Sequence, residues 1–224
     1  MRFFFVFSLA FLIFVVVILS HVPDGLALFK HLEIGRVANM KSGELNDSNA
    51  VEVDGIRFET LVPESVLTVP NSQPETNINV EFGIRITNNT SNPWRFNFHS
   101  RITPELLRAD GQVVQPVFLR IRRRKPKEIH FPLVMPGESA TFFPDVILLW
   151  SKHGQLNLSI AKSSGGRWNF DVFNPGTYQF RFTYKNEMAT ETIQGQSQEW
   201  ADTKLLEGFW TGVVFTPFVE FRLI

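Results

Sequence analysis

The chain has 224 residues, no cysteine, and 22 basic against 22 acidic side chains. It therefore makes no disulfide, no thiolate nucleophile and no Cys-ligated zinc site, and it presents no global field to attract nucleic acid. Its 23 Phe residues, together with frequent Val, Ile and Thr, favour pleated, half-buried strands over helices.

Residues 3–19 are apolar except for Ser8, with Arg2 before them and Asp24 after. Positive charge ahead of such a run holds that end in the cytoplasm and sends the rest across the membrane. Two fates stay open. At roughly 1.5 Å per residue the run spans about 26 Å as a helix, close to a bilayer core, which suits a retained anchor. A cleaved signal peptide ending at Ala27, with Gly25 at its −3 position, is the other reading. Residues 1–27 are thus a signal peptide or membrane anchor, and the remainder is extracytoplasmic. Residues 28–53 carry the polar stretch Lys41-Ser-Gly-Glu-Leu-Asn-Asp-Ser-Asn49 and read as a linker or stalk.

From residue 54 to 224 the pattern has a period of two. Residues 56–61 alternate in part before Pro63. Residues 78–87 alternate strictly, with Ile78, Val80, Phe82, Ile84 and Ile86 on one face, which predicts one strand with a single wet side. Asn88-Asn-Thr-Ser-Asn-Pro93 reads as a turn and 95–99 as a strand. Asp110-Gly111 between apolar runs predicts a hairpin, followed by a strand over 117–122. Met135-Pro-Gly-Glu138 is a turn that starts a strand over 139–143. The apolar run 146–150 is a strand or a helical turn. Residues 156–160 and 168–172 are strands around Ser163-Ser-Gly-Gly166, and 177–184 places Tyr178, Phe180, Phe182 and Tyr184 on one face. Residues 200–206 read as one or two helical turns. A strand over 213–223 closes the chain, with Pro217 marking an edge, a bulge or a switch between sheets. Seven or more short strands with regular turns and no long helix indicate an all-β, antiparallel β-sandwich behind an N-terminal hydrophobic helix.

Met135-Pro-Gly-Glu138, Asn174-Pro-Gly-Thr-Tyr178 and the terminal Trp210-Thr-Gly-Val-Val and Val219-Glu-Phe-Arg-Leu223 resemble bacterial immunoglobulin-like sandwich proteins. Asn92-Pro-Trp-Arg-Phe-Asn-Phe98 with the following Asp110-Gly111 hairpin is similar to the intracellular proteinase inhibitor group of that class. The resemblance implies an immunoglobulin-like sandwich and, as an alternative function, protease inhibition. Beneath it lies a physical expectation: Tyr178, two residues beyond a Pro-Gly turn, buries its ring and sends its hydroxyl to a nearby backbone group.

The one local charge anomaly is the basic run Arg120, Arg122, Arg123, Arg124, Lys125 and Lys127. Clustered guanidinium and ammonium groups grip carboxylates and phosphates. The competing reading is a solvated strand edge whose charges block aggregation. His99, His130 and His153 show no metal-ligand spacing, and no phosphate loop, nucleophile elbow or zinc-protease motif occurs. Glu187, Glu191, Glu199 and Asp202 read as a solvated stretch, and Trp94, Trp150, Trp168, Trp200 and Trp210 as core. Asn88, Asn89 and Asn157 fit the N-glycosylation triplet. The sequence thus points to a non-enzymatic interaction module without cofactor, which binds a protein or polymer but no nucleic acid, and the membrane through residues 3–19 if they are retained.

Overall fold

The computed structural model describes residues 35–41, 49–71, 76–119, 124–194 and 203–224. The apolar segment 3–19 lies outside them. Among the described residues there is no α-helix, and no helix is long and apolar enough to cross a membrane. The described residues are all-β, built from antiparallel sheets with a short parallel pairing of Val66–Leu67 on Val219–Leu223 and an isolated parallel bridge between Arg95 and Phe209.

The first sheet runs in the order Gly35–Lys41, Glu138–Pro144, Gly83–Asn88, Ile56–Leu61, Ala50–Val53. Two of these strands fall in the stretch 28–53 expected to be a linker. Ala50–Val53 is turned onto Ile56–Leu61 by Asp54 and Gly55, both at positive φ (50° and 74°). Two consecutive left-handed residues make the tight turn whose twist matches a hairpin. A side chain at Gly55 would also meet Thr90 Cγ2 at 2.9 Å.

The second sheet is centred on Gly176–Asn186, with Ile102–Arg108 on one flank and both Gly212–Phe215 and Val219–Leu223 on the other. The expected single strand over 213–223 is therefore two strands with Pro217 between them. Proline has no N–H for the ladder, and the Thr216 side chain covers the gap. Its hydroxyl accepts the Phe182 N–H at 3.1 Å and donates to the Phe182 carbonyl at 2.8 Å. Thr216 also meets the Thr60 hydroxyl, which ties the second sheet to the first.

The third sheet runs Asn77–Val80, Val146–Trp150, Leu156–Ala161, Arg167–Phe173, Pro116–Leu119. The expected strand over 78–87 is divided between this sheet and the first. Val80 pairs with Val146 and Ile84 with Phe142, in one continuous register. That register puts Pro144 opposite Phe82, where a missing donor lets the paired strands bend from one sheet into the other. Because the register does not slip, Val80, Phe82, Ile84 and Ile86 all stay buried.

Two ribbons complete the fold, Trp94–Arg95 with Leu133–Val134 and Thr190–Gln194 with Thr203–Glu207. The second corrects the helical turns expected over 200–206. Thr190–Gln194 offers a backbone ladder that buries Ile193 and Leu206, and pairing at a distance overrides helix-forming Lys-Leu-Leu-Glu.

The core is aromatic. Phe58 of the first sheet meets Tyr184 of the second (ring centroids 5.6 Å apart), Phe96 (6.2 Å) and Trp210 (5.2 Å). Phe82 stacks on Phe180 at 4.4 Å. Interlocking rings at these separations add to the burial of their area. The two sheets thus face each other in a sandwich-like arrangement. Trp210 is in this core, Trp94, Trp150 and Trp168 pack half-buried against it, and Trp200 lies outside the described residues.

Candidate functional site

The chemistry-bearing residues gather at one end of the third sheet, where its edge strand Pro116–Leu119 runs toward the basic run. Val117 and Leu119 are about half exposed on that strand (50% and 52%). Arg120, Arg122 and Arg123 lie outside the described residues. Arg124, Lys125 and Lys127 are described, and all three are exposed.

The segment that carries these last three is fixed by its backbone. Arg124 N–H donates to the Ser164 carbonyl at 3.1 Å. The Lys127 N–H donates to His130 Nδ1 at 3.0 Å, and a short 3-10 turn follows over Glu128–His130. Lys204 reaches the Glu128 carboxylate at 2.7 Å. Next, Phe98 N–H donates to the His130 carbonyl (2.9 Å) and Phe96 N–H to that of Pro132 (3.1 Å). These bonds clip the segment onto residues 96–98.

The receiving surface is the hairpin turn Lys162-Ser-Ser-Gly-Gly166. Lys162 N–H bonds to the Gly166 carbonyl at 3.0 Å, and Gly165 N–H to that of Lys162 at 2.9 Å. Gly166 has φ +96°, and a Cβ there would lie 2.6 Å from the Leu119 carbonyl oxygen. Only glycine admits both that backbone and that approach, so the turn sits directly on the edge strand. The Lys162 ammonium lies 5.7 Å from the Phe118 ring and 5.6 Å from that of Trp168, and the two rings are 4.6 Å apart. The ammonium thus lies to one side of the ring pair, where aromatic quadrupoles attract a cation.

His99 and His130 meet beneath this turn, with ring centroids 5.0 Å apart. Asn97 sets the chain there, its Oδ1 accepting the N–H groups of His99 (3.0 Å) and Ser100 (3.1 Å). This turn ends the strand expected over 95–99, which is regular only at Trp94–Arg95. His99 is only 8% exposed. Burial, the neighbouring His130 and Lys162 lower its pKa to about 4, against a hydrogen bond to the Arg124 backbone that raises it. Burial and Lys127 lower that of His130, and burial and Arg101 lower that of Lys162. His99 Nδ1 and Trp168 Nε1 are buried and have no hydrogen-bond partner among the described residues. Positive charge is therefore costly at His99, His130 and Lys162.

Several residues expected near function lie elsewhere. His153 is exposed in the turn before Leu156–Ala161. Glu191 is not simply solvated: its Oε1 accepts from Asn97 Nδ2 at 2.8 Å and from Arg101 Nη2 at 3.2 Å. Glu187 pairs with Lys185 on the surface, and Glu199 and Asp202 lie outside the described residues. Asn88 is fully buried, and its amide donates to the carbonyls of Asn92 and Val134, so it offers no acceptor for a glycan. Among the described residues no three His, Asp or Glu side chains are placed to hold a metal.

No protein-family model matches the chain, and no curated protein matches it. It has a coarse similarity to one solved structure, described as "AvmM Catalyzes Macrocyclization in Alchivemycin A Biosynthesis", at 14% identity over 78% of this chain and 94% of that one, with a TM-score of 0.27. A likeness at that score carries no argument about chemistry.

Proposed function

We infer that the protein is a non-enzymatic interaction module of immunoglobulin-like sandwich type, and that the basic segment at the edge of the third sheet binds a partner presenting clustered carboxylates or phosphates. The observation that carries this reading is the anchoring of the segment. Arg124 and Lys127 expose their charges while their backbones are bonded to Ser164 and His130. Charges on a fixed backbone lose less conformational freedom on binding than charges on a loose loop. Half-buried Lys162, held against Phe118 and Trp168, adds a cation to the same corner.

Two further features support the rest of the reading. Tyr178 is buried, and its hydroxyl donates to the Asn174 carbonyl at 2.7 Å while accepting the Asn174 N–H at 3.1 Å, the corner expected of such sandwiches. The apolar run 3–19 behind Arg2 favours an extracytoplasmic site of action.

The test is binding of decaglutamate and of polyphosphate to residues 28–224, read by titration calorimetry at several salt concentrations. The expected result is an affinity that falls steeply with salt and drops at least tenfold in the double variant Arg124→Glu, Lys127→Glu. Equal binding by the parent and the double variant would rule the segment out as the contact surface.

A further inference from the structure

The outer face of the second sheet carries an apolar patch that the basic segment does not use. Tyr178, Phe180, Phe182 and Tyr184 point into the core, so Arg181, Thr183 and Lys185 point outward. The register sets Phe215 beside Thr183 and Val213 beside Lys185 on that outer face. Phe215 is 54% exposed and Val213 48%. Arg181 lies over the rings of Phe215 (4.9 Å) and Phe218 (4.3 Å), while its guanidinium donates to Glu105 Oε2 at 2.6 and 3.0 Å. The exposed Phe215 ring is thus steadied by a cation whose charge is already paired.

Val213 and Phe215 belong to Gly212–Phe215, an outer strand of the sheet. The Thr216 N–H donates to the Phe182 carbonyl at 3.1 Å, which fixes the phase of this ladder. Antiparallel pairing alternates. Val214 therefore exchanges hydrogen bonds with Tyr184, and the N–H and carbonyl groups of Val213 and Phe215 point away from the sheet. Other outer strands carry or adjoin charge: Arg36 and Lys41 in Gly35–Lys41, Glu52 in Ala50–Val53, Glu81 after Asn77–Val80, and the basic run after Pro116–Leu119. Charge on an edge discourages a second strand from pairing with it. Gly212–Phe215 carries none.

We propose that Gly212–Phe215 pairs antiparallel with the same strand of a second copy of this chain, with Val214 on the two-fold axis. In that register Val213 of each copy exchanges N–H and carbonyl with Phe215 of the other. The strand is its own complement, as a closed two-fold interface requires. Each Phe215 ring lies directly opposite Val213 of the second copy, an aromatic on β-branched cross-strand pair. This matching favours a second copy over an unrelated strand, since each copy supplies both halves of the contact. Along the outer face, Thr183 and Phe215 of one copy continue into Val213 and Lys185 of the other, so no like charges are opposed. Pro217 helps to select the register. It is the next outward position beyond Phe215 and has no N–H, so a slide that sets Val213 against Pro217 loses a hydrogen bond. The opposite slide sets Phe215 against Thr211 and gives up the ring contact. The pairing is independent of the anion-binding reading.

The chain has no cysteine, so introduced cysteines report contacts without background. Full-length chains bearing Val213→Cys and Phe215→Cys are co-expressed with different tags and oxidised with copper phenanthroline in whole cells. The register places these two side chains opposite each other, with Cα atoms about 5.5 Å apart, within disulfide reach. The mixed pair also keeps one Val213–Phe215 contact intact. The expected result is a mixed disulfide that forms about tenfold faster than the homodimer of either variant. Leu205→Cys, similarly exposed at 56% on Thr203–Glu207, is expected to link as slowly as those homodimers. Adding Arg124→Glu and Lys127→Glu leaves the mixed rate unchanged. Equal rates at all sites, homodimers that form faster than the mixed pair, or adducts only to other proteins overturn the proposal.

Discussion

The interior between the first and second sheets and the corner beneath the basic run are built on opposite principles. The interior is aromatic, and polar groups within it are bonded to the backbone: the Tyr184 hydroxyl accepts the Asn97 N–H, and Thr216 closes the ladder around Pro217. The corner holds two imidazoles, an ammonium and an indole, with two buried nitrogens left over. The first arrangement gives stability, because burial of aromatic area needs no partner from outside. The second sacrifices some of it, a pattern that real proteins show where they bind.

The largest effect that would sharpen this contrast is in the interior. Phe58→Ala removes a fully buried ring from the centre of the aromatic contacts, and an unfolding free energy lower by about 3–5 kcal/mol is expected in urea titrations. A loss well under 2 kcal/mol would mean that the two sheets do not close over that ring.

The corner should respond to acid where the interior does not. The folded-state pKa of His99 lies below the ordinary value of 6.5, at about 4. The unfolded chain therefore binds this proton more readily, and the contribution of neutral His99 is complete above pH 6.5 and lost as the pH falls to about 4. The expected loss across that window is up to about 3 kcal/mol, and it is absent from His99→Gln. Unfolding curves of parent and variant that keep a constant difference from pH 7 to pH 4 would contradict it.

Smaller effects separate the two kinds of polar group. Thr216→Val removes the side-chain bridge around Pro217 and is expected to cost about 1–3 kcal/mol, because the Phe182 N–H is left buried without a partner. Tyr178→Phe removes only the corner hydroxyl, for about 1 kcal/mol. Trp168→Phe takes away an unpartnered donor, so the midpoint should hold or rise. A midpoint that falls as far as for Thr216→Val would show that the indole nitrogen is already satisfied.

What could be read in the sequence follows the same division. The alternation of Ile84 with Ile86 and of Tyr178 through Tyr184 sets which side faces inward, and period two survives a bend as long as register is kept. The bend itself was not legible, since Pro144 acts on residues 80–83 from the partner strand sixty residues away in the chain. The Asp54-Gly55 turn is legible in the sequence. It carries the same signal as Asp110-Gly111, whose hairpin does form, with Arg108 N–H on the Gln112 carbonyl at 2.9 Å. The corner could not be seen, because residues 99, 130, 162 and 168 share no local pattern.

Amide hydrogen exchange of residues 28–224, with and without decaglutamate, tests the central claim most directly. The outer face of the second sheet supplies an internal control, where Arg181 is held by Glu105 and lies over Phe215 and Phe218. Added decaglutamate should slow exchange at residues 124–130 and 162–168 and leave 103–107 and 181–185 unchanged. Slowing confined to the Arg181 face, or no slowing anywhere, would contradict the account.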